Sequence, residues 1–413
     1  MKSNFLIFTG LFVAGSLLQA QEIKLVDEHF LSALRIEAAR KHPSAIAAKF
    51  KSAAAGYDVR AVRLWNDPKV GLGFMAAERA MRADEGDVML SLEQPFPKPG
   101  MFEAQRRKAE ALGRAELQNS RTSSLAAGAE AARSAIEVAL ADESISLQQS
   151  QIIWITAMTE NAKQMAAGPM GSSTDALRME TELAKENQML DAARRSREGY
   201  AQKLNLTLGR PLDARWPTLK LPATPPPVPL AQAEIARIPY VNPRVRAMRE
   251  MVGAANAETR VADRERQPEF AVAIDTRLYS AGDIRSTTVG VTMNLPWLND
   301  SSYQAKVDAA KNRELAAGHD VETLRREVAA MVLTAVTEAT NAAAQARAYS
   351  GEIHEKAIKA TQTTEAAWIS SKTPLTDLLD SSRSLFSIRL EQRRFTAMQL
   401  AALEELQTLV PNH

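Results

Sequence analysis

Cysteine is absent from all 413 residues, which excludes a disulfide framework, thiolate chemistry and cysteine-based zinc sites. The same absence leaves no residue to carry an N-terminal lipid anchor. Aromatic side chains make up only 5% of the chain, so bulky core-builders are thin. An excess of one charge is missing too. The 51 Lys and Arg face 49 Asp and Glu, and no basic run stands clear of acidic neighbours, so no nucleic-acid partner is expected. After the N-terminus no apolar run reaches the roughly 20 residues that a membrane-spanning helix needs. Catalytic constellations are likewise lacking. His29, His42, His319, His354 and His413 show no paired metal-ligand spacing. Gly71-Leu72-Gly73 lacks the third glycine of a dinucleotide loop, and no strand-loop-helix phosphate cradle follows it. Methionine thioethers suit Cu(I), but scattered Met at helical spacing reads as packing. No enzyme, metal site or cofactor is therefore expected.

What is present begins with an export signal. Lys2 precedes the apolar run Phe5 to Leu18, and Leu18-Gln19-Ala20 has small-residue cleavage character, so residues 1–20 read as a signal peptide. Hydrophobic residues make up 45% of the chain, much of that alanine, which suits long helices packed closely in bundles.

Period-two alternation breaks the helical pattern in two places. Phe270, Val272, Ile274, Thr276 and Leu278 share one face against Ala271, Ala273, Asp275 and Arg277. Val289, Val291, Met293 and Leu295 continue the pattern until Pro296, which has no N–H for a ladder. The stretch at about 268–296 is thus a predicted hairpin around Ser280-Ala281-Gly282-Asp283. An earlier hairpin, at about 68–95, runs through Val70-Gly71-Leu72-Gly73-Phe74, a polar loop from Glu78 to Asp87, and Val88, Leu90 and Leu92 to Gln94-Pro95-Phe96. An isolated hairpin is marginal in water, so partners from outside the chain are expected to complete the sheet.

The two halves correspond. His42-Pro43 matches Asn242-Pro243, and Asp67-Pro68 matches Gln267-Pro268, at an offset of 200 residues. Val88, Pro95, Phe96 and Ala104 match Val289, Pro296, Trp297 and Ala305 at 201. Asp175-Ala176-Leu177 matches Asp377-Leu378-Leu379 at 202. This is a tandem internal repeat with a period too long for a solenoid. Each hairpin precedes a proline-free helical stretch, at about 101–167 and 302–370, which at 1.5 Å per residue reaches roughly 100 Å. Return helices follow turns at Gly168 to Ser173 and Ser370 to Pro374, with Ser172, Asp175, Thr373 and Pro374 as start signals. The division is a first repeat at 21–210, a proline-rich linker at 211–240 whose stretch from Pro211 to Pro229 reads as an extended strap, and a second repeat at 241–413.

Four strands of roughly 9–11 residues match tilted membrane-spanning strands. A membrane sheet cannot leave its edges open, and four strands cannot close a barrel, so several chains must share one.

The tandem halves, the Asn242-Pro243 type of helix opening, the strand ends Glu93-Gln94-Pro95-Phe96 and Asn294-Leu295-Pro296-Trp297, and the return-helix starts at Asp175 and Asp377 resemble the TolC-like outer-membrane efflux protein family. The likeness runs from about Asp27 to Val410. It implies an α+β membrane protein: a homotrimer whose four strands per chain form a twelve-stranded β-barrel, continued by a long α-helical coiled-coil tunnel. It also implies an exit duct in outer-membrane lipid with its tunnel in the periplasm. The implied partners are a periplasmic adaptor and an inner-membrane pump of RND type. Strand-end wording and compact size point to the heavy-metal efflux branch. Many copper-exporting members carry a lipidated N-terminal Cys, so this chain is expected to be held by its barrel alone.

The resemblance also places a periplasmic gate. Family acids that narrow the tunnel match Asp377 and Asp380, whose i, i+3 spacing puts both carboxylates on one helix face. Threefold symmetry would make each a ring that collects cations. The family's gate links match Asp175 and Trp368, and a basic residue that would fall at Thr373, where this chain departs and offers neighbouring Lys372. Read without the family, first-turn acids serve the helix dipole and Trp368 packs a bundle. Two rival readings are a periplasmic helical adaptor whose hairpins pair with a partner sheet, and the duct of a type I protein secretion system.

Overall fold

The computed structural model describes residues 23–75, 87–168, 172–224, 226–227, 232–279 and 282–410. The expected signal peptide, most of the polar loop after Phe74, residues 169–171 of the turn after Gly168 and the hairpin tip at Ser280-Ala281 lie outside these residues.

Strand β1 (Ile23–Leu25) leads into α1 (Glu28–Lys41), opened by Asp27, whose Oδ1 accepts from Phe30 N at 2.8 Å. His42 then adopts extended backbone, closing α1 and capping α2 (Pro43–Ala61) with Pro43 in its first turn. The same device recurs between α5 (Gln232–Val241) and α6 (Pro243–Glu265). There Asn242 Oδ1 accepts from Arg244 N at 2.9 Å, while its Nδ2 donates to Leu409 O at 2.9 Å. Each proline break thus turns the chain between two helices without leaving the break unsatisfied.

Strands β2 (Lys69–Met75), β3 (Asp87–Pro95), β5 (Phe270–Tyr279) and β6 (Ile284–Met293) form one antiparallel sheet in the order β2-β3-β5-β6. The two hairpins therefore complete each other in part within the chain, through β3 and β5. Gly100, at φ 73, and a short 3-10 turn at Pro296–Asn299 deliver the chain from the sheet into the long helices.

The first long helix, α3 (Met101–Ala166), runs 66 residues unbroken, and α4 (Ser173–Thr207) returns along it. The second was expected to run unbroken as well, but the structure divides it at Gly351 into α7 (Asp300–Ser350) and α8 (Glu352–Ile369). Glycine needs no Cβ clearance and leaves the helical backbone there, with Gly351 N still donating to Arg347 O and its carbonyl accepting from Glu355 N, each at 3.1 Å. Helix α9 (Leu375–Leu409) returns along this pair.

Alanine sets the closeness of packing at mid-length. Ala131, Ala132, Ala135 and Ala139 of α3 are fully buried, in a cluster with Leu31, Leu34 and Ala38 of α1 and Leu204 of α4. Gly128 eases the same contact, because a Cβ there would stand 3.1 Å from Arg35 Cβ and push that side of α1 back by a few tenths of an ångström.

The proline-rich stretch 211–229 is tied into the fold rather than lying loose: it contains β4 (Thr218–Lys220), paired in parallel with β1. Asp142 of α3 fixes it by accepting from Leu219 N at 2.9 Å and from Arg197 Nε at 2.9 Å. Arg197 also donates to the carbonyls of Trp216 and Pro217. These partners are distant in sequence, which is why a local reading of prolines misses them.

Candidate channel wall and gate

Register sorts the sheet into two chemically distinct faces. One cross-strand row joins Val70, Leu92, Ile274 and Val289, and the next joins Leu72, Leu90, Thr276 and Thr287. The opposite face carries the rows Lys69-Glu93-Ala273-Gly290 and Gly71-Ser91-Asp275-Thr288. Side chains alternate strictly across a strand, so aligned pairing multiplies one strand's pattern into a whole wall. The apolar wall faces nothing among the described residues: Val70 is 77% exposed and Val289 69%. A contiguous exposed apolar surface of this kind marks a binding or membrane surface. Lys69 and Glu93 pair across the polar face at 3.1 Å. Among the described residues, strands β2 and β6 stand at the edges of the sheet, each laddered to one neighbouring strand.

At the far end of the helices, α3, α4, α8 and α9 meet in an apolar cluster of Ile155, Met158, Met179, Trp368, Leu375 and Leu378. Helix α8 ends in two closing bonds, Lys372 N to Ala367 O and Ser371 N to Trp368 O, each at 2.8 Å. This is the Schellman arrangement. Its left-handed position is held by Ser371 at φ 56 rather than by glycine. Pro374 then caps α9 with extended backbone.

The expected gate residues fall around this cluster. Asp377 and Asp380 stand exposed, on a different side of α9 from buried Leu375 and Leu378. Asp380 accepts from Arg383 at 3.4 Å, whereas Asp377 enters no ion pair among the described residues. Asp175 lies in the first turn of α4, half-buried. Helix α4 starts where expected, though Ser172 makes no side-chain capping bond. Within one chain, none of Asp175, Trp368 and Lys372 is joined to another by a side-chain hydrogen bond among the described residues. Trp368 is buried in the apolar cluster, and Lys372 is exposed. Thr373, where the family's basic residue would stand, turns a buried hydroxyl oxygen that finds no partner among the described residues.

Sequence reasoning missed the ionic contacts that tie the tip together. Arg383 of α9 donates to Glu182 of α4 as well as contacting Asp380. Burial pushes the Glu182 carboxyl up, but its hydrogen bond and charge contact with Arg383, aided by Lys185, leave it lowered overall. Lys163 of α3 and Glu180 of α4 pair at 2.9 Å. The hydrogen bond and charge of Glu180 raise the Lys163 ammonium above its ordinary value. Trp154 Nε1 donates to Glu365 of α8 at 3.1 Å, and Gln151 Nε2 to Ser382 of α9 at 2.8 Å.

Among the described residues no helix is long and apolar enough to cross a membrane, and no cluster of three or more metal-type side chains occurs.

An alternating sheet joined to long paired helices is the architecture of outer-membrane channels. The chain superposes on the outer-membrane channel OprN with a TM-score of 0.80 at 17% identity, covering 94% of this chain and 91% of that one. It superposes on CusC, whose structures concern folding and transmembrane channel formation, with a TM-score of 0.80 at 15% identity, covering 92% of each chain. For the open state of the Neisseria gonorrhoeae MtrE channel the TM-score is 0.75 at 18% identity, covering 92% of this chain and 88% of that one. No curated protein matches the sequence. Residues 240–411 match the outer membrane efflux protein family. The second half of the sequence thus matches the outer membrane efflux protein family, and the chain as a whole shares the fold of these outer-membrane channels.

Proposed function

We propose that the chain is the outer-membrane duct of a tripartite efflux system, passively conducting what an inner-membrane pump and a periplasmic adaptor deliver. The observation that carries this reading is the sheet, apolar and exposed on one side, polar and small on the other, with open edges at β2 and β6. Unpaired edge groups in hydrocarbon cost several kcal/mol each, and further copies of the sheet remove them. Three chains then give a twelve-stranded barrel with its small polar face toward the lumen, and the helices continue it as a periplasmic coiled-coil tunnel. The chain divides, after a signal peptide at 1–20, into duplicated units at 21–210 and 241–413 around the linker.

The carboxylates of Asp377 and Asp380 form two acidic rings at the periplasmic mouth, with Asp175, Trp368 and Lys372 as the surrounding link positions. Rings of this sign repel anions and gather cations, which agrees with metal cations as cargo and an RND-type pump as the driver. Cell fractionation tests the reading. A heat-modifiable trimer in the outer-membrane fraction, co-purifying with pump and adaptor, is expected. A soluble monomer released by osmotic shock would sink it in favour of a periplasmic adaptor.

A further inference from the structure

The polar face of the sheet is lined mostly by small or uncharged side chains, and two opposite charges on β5 stand out from it. Asp275 lies in the row Gly71-Ser91-Asp275-Thr288, and Arg277 in the next row away from the helices, Gly73-Met89-Arg277-Ser286. The row on the helix side of both contains Lys69 and Glu93, which pair at 3.1 Å and cancel. Strand β5 is interior to the sheet, with β3 and β6 on its two sides, so further copies of the chain bring no new strand beside Asp275 or Arg277. Both are exposed, and neither enters an ion pair among the described residues. Two residues along a strand separate their layers by roughly 7 Å. The β5–β6 register shifts directly after Arg277, which makes its row the last regular one before the hairpin end. Beyond that bulge Arg285 lies over the Tyr279 ring at 5.4 Å, and Asp283, of opposite charge, stands two residues from it. The uncancelled charges of β5 are thus an acid toward the helices and a base toward the outer end.

Threefold repetition turns each residue into a ring. Cations gather at an acidic ring and anions at a basic one. A field that drives cations outward pushes both kinds of ion toward the boundary between the rings, where carriers accumulate and the current rises. The opposite field draws both away and depletes it. We propose that Asp275 and Arg277 form a fixed-charge junction in the barrel lumen that passes cations outward more readily than it lets them return. The junction rests on the barrel reading above and deepens it, by naming the residues that set the direction of easier cation flow. Salt is its signature, because the Debye length of about 10 Å at 0.1 M spans the two layers and that of about 3 Å at 1 M does not.

The test records full-length trimers in planar bilayers after addition to one chamber, so that barrels insert first and the helices stay on the side of addition. A background of Asp377→Ala with Asp380→Ala removes the asymmetry of the proposed gate acids. In about 0.1 M KCl the current is expected to be larger when potassium is driven from the helix side outward, and the difference to vanish at about 1 M. Arg277→Gln is expected to lose the difference, and Asp275→Arg with Arg277→Asp to reverse its sign. Lumen positions accept such changes, and heat-modifiable migration reports trimer assembly. Symmetric currents with Asp275 and Arg277 both in place would overturn the junction and leave the duct standing. An asymmetry that survives high salt or Arg277→Gln would overturn it too, because its source would then be shape or other charges. Trimers that never conduct would remove the duct reading itself.

Discussion

The carboxylate of Glu182 on α4 receives the guanidinium of Arg383 on α9, an ion pair between the two return helices at positions 201 residues apart. The return-helix landmarks Asp175 and Asp377 stand 202 apart, so Arg383 falls one residue before Ser384, the position that offset would match to Glu182. Glu182 is largely enclosed while Arg383 is half exposed, and Arg383 also contacts Asp380. Replacing Arg383 by Gln therefore unties α4 from α9 and frees Asp380 at once. Single-channel recording in planar bilayers is expected to show higher conductance, and the swap of Glu182→Arg with Arg383→Glu to restore the wild-type level. A contact this exposed has a coupling energy of about 1 kcal/mol or less, enough to shift a closed–open balance severalfold. Equal conductance in wild type, single variant and swap would show that the pair does not restrain the tip.

The two candidate ring acids differ in their surroundings. Asp380 is already partly neutralised by Arg383, and Asp377 has no ion-pair partner among the described residues. Asp377→Ala is therefore expected to relieve block by multivalent cations more than Asp380→Ala, with the double variant largest. Block unchanged in all three would take both residues out of the permeation path.

Glu404 of α9 is only 2% exposed and is held by Arg35 of α1 at 2.8 and 2.9 Å. Burial pushes its carboxyl above the usual range against the opposing pull of Arg35, with Glu28 adding to the rise and Arg133 opposing it. A raised carboxyl contributes stability that is fully present below its unfolded value and is lost as pH rises through the folded one. Arg35→Met removes the main compensating charge and raises the folded value further. Destabilisation of about 3 kcal/mol is expected near pH 7.5, shrinking as the pH is lowered toward 5. Thermal melts at the two pH values measure it, and a pH-independent loss would point to packing alone.

Much of the fold was legible because it is periodic. Register in a strand and breaks such as Asn242-Pro243 are local events. What escaped was set by distant partners or by small departures from a pattern. Asp142 fixes the strand at Leu219 from 77 residues away. Gly351 interrupts a helix with no proline to announce it. At the tip, Asp377 and Asp380 are recognisable as helix-start acids, but that Arg383 shares itself between Asp380 and Glu182 depends on how two helices pack.

Ser371 closes α8 in the left-handed region at φ 56, where a Cβ is unfavourable. Ser371→Gly keeps both closing hydrogen bonds and removes that cost, so a gain of about 1 kcal/mol is expected. Denaturant unfolding of the detergent-solubilised protein reads it directly. A loss of stability would mean that the serine side chain supplies more than its backbone geometry suggests.

The two faces of β6 give the sharpest contrast between neighbours. Val289 pairs with Ile274 on the apolar wall, and Thr288 pairs with Asp275 on the polar one. Arginine on a lipid-facing strand position costs about 2–4 kcal/mol near the bilayer midplane, while the lumen side tolerates charge and changes selectivity instead. Val289→Arg is therefore expected to lower trimer yield in the outer-membrane fraction and the temperature at which trimers dissociate. Thr288→Arg is expected to assemble normally, shift ion preference toward anions and, beside Asp275, lose part of that shift to pairing. If Thr288→Arg impaired assembly and Val289→Arg did not, the faces would be inverted, and the lumen would have to be lined by valine and leucine. That outcome is hard to reconcile with an aqueous channel.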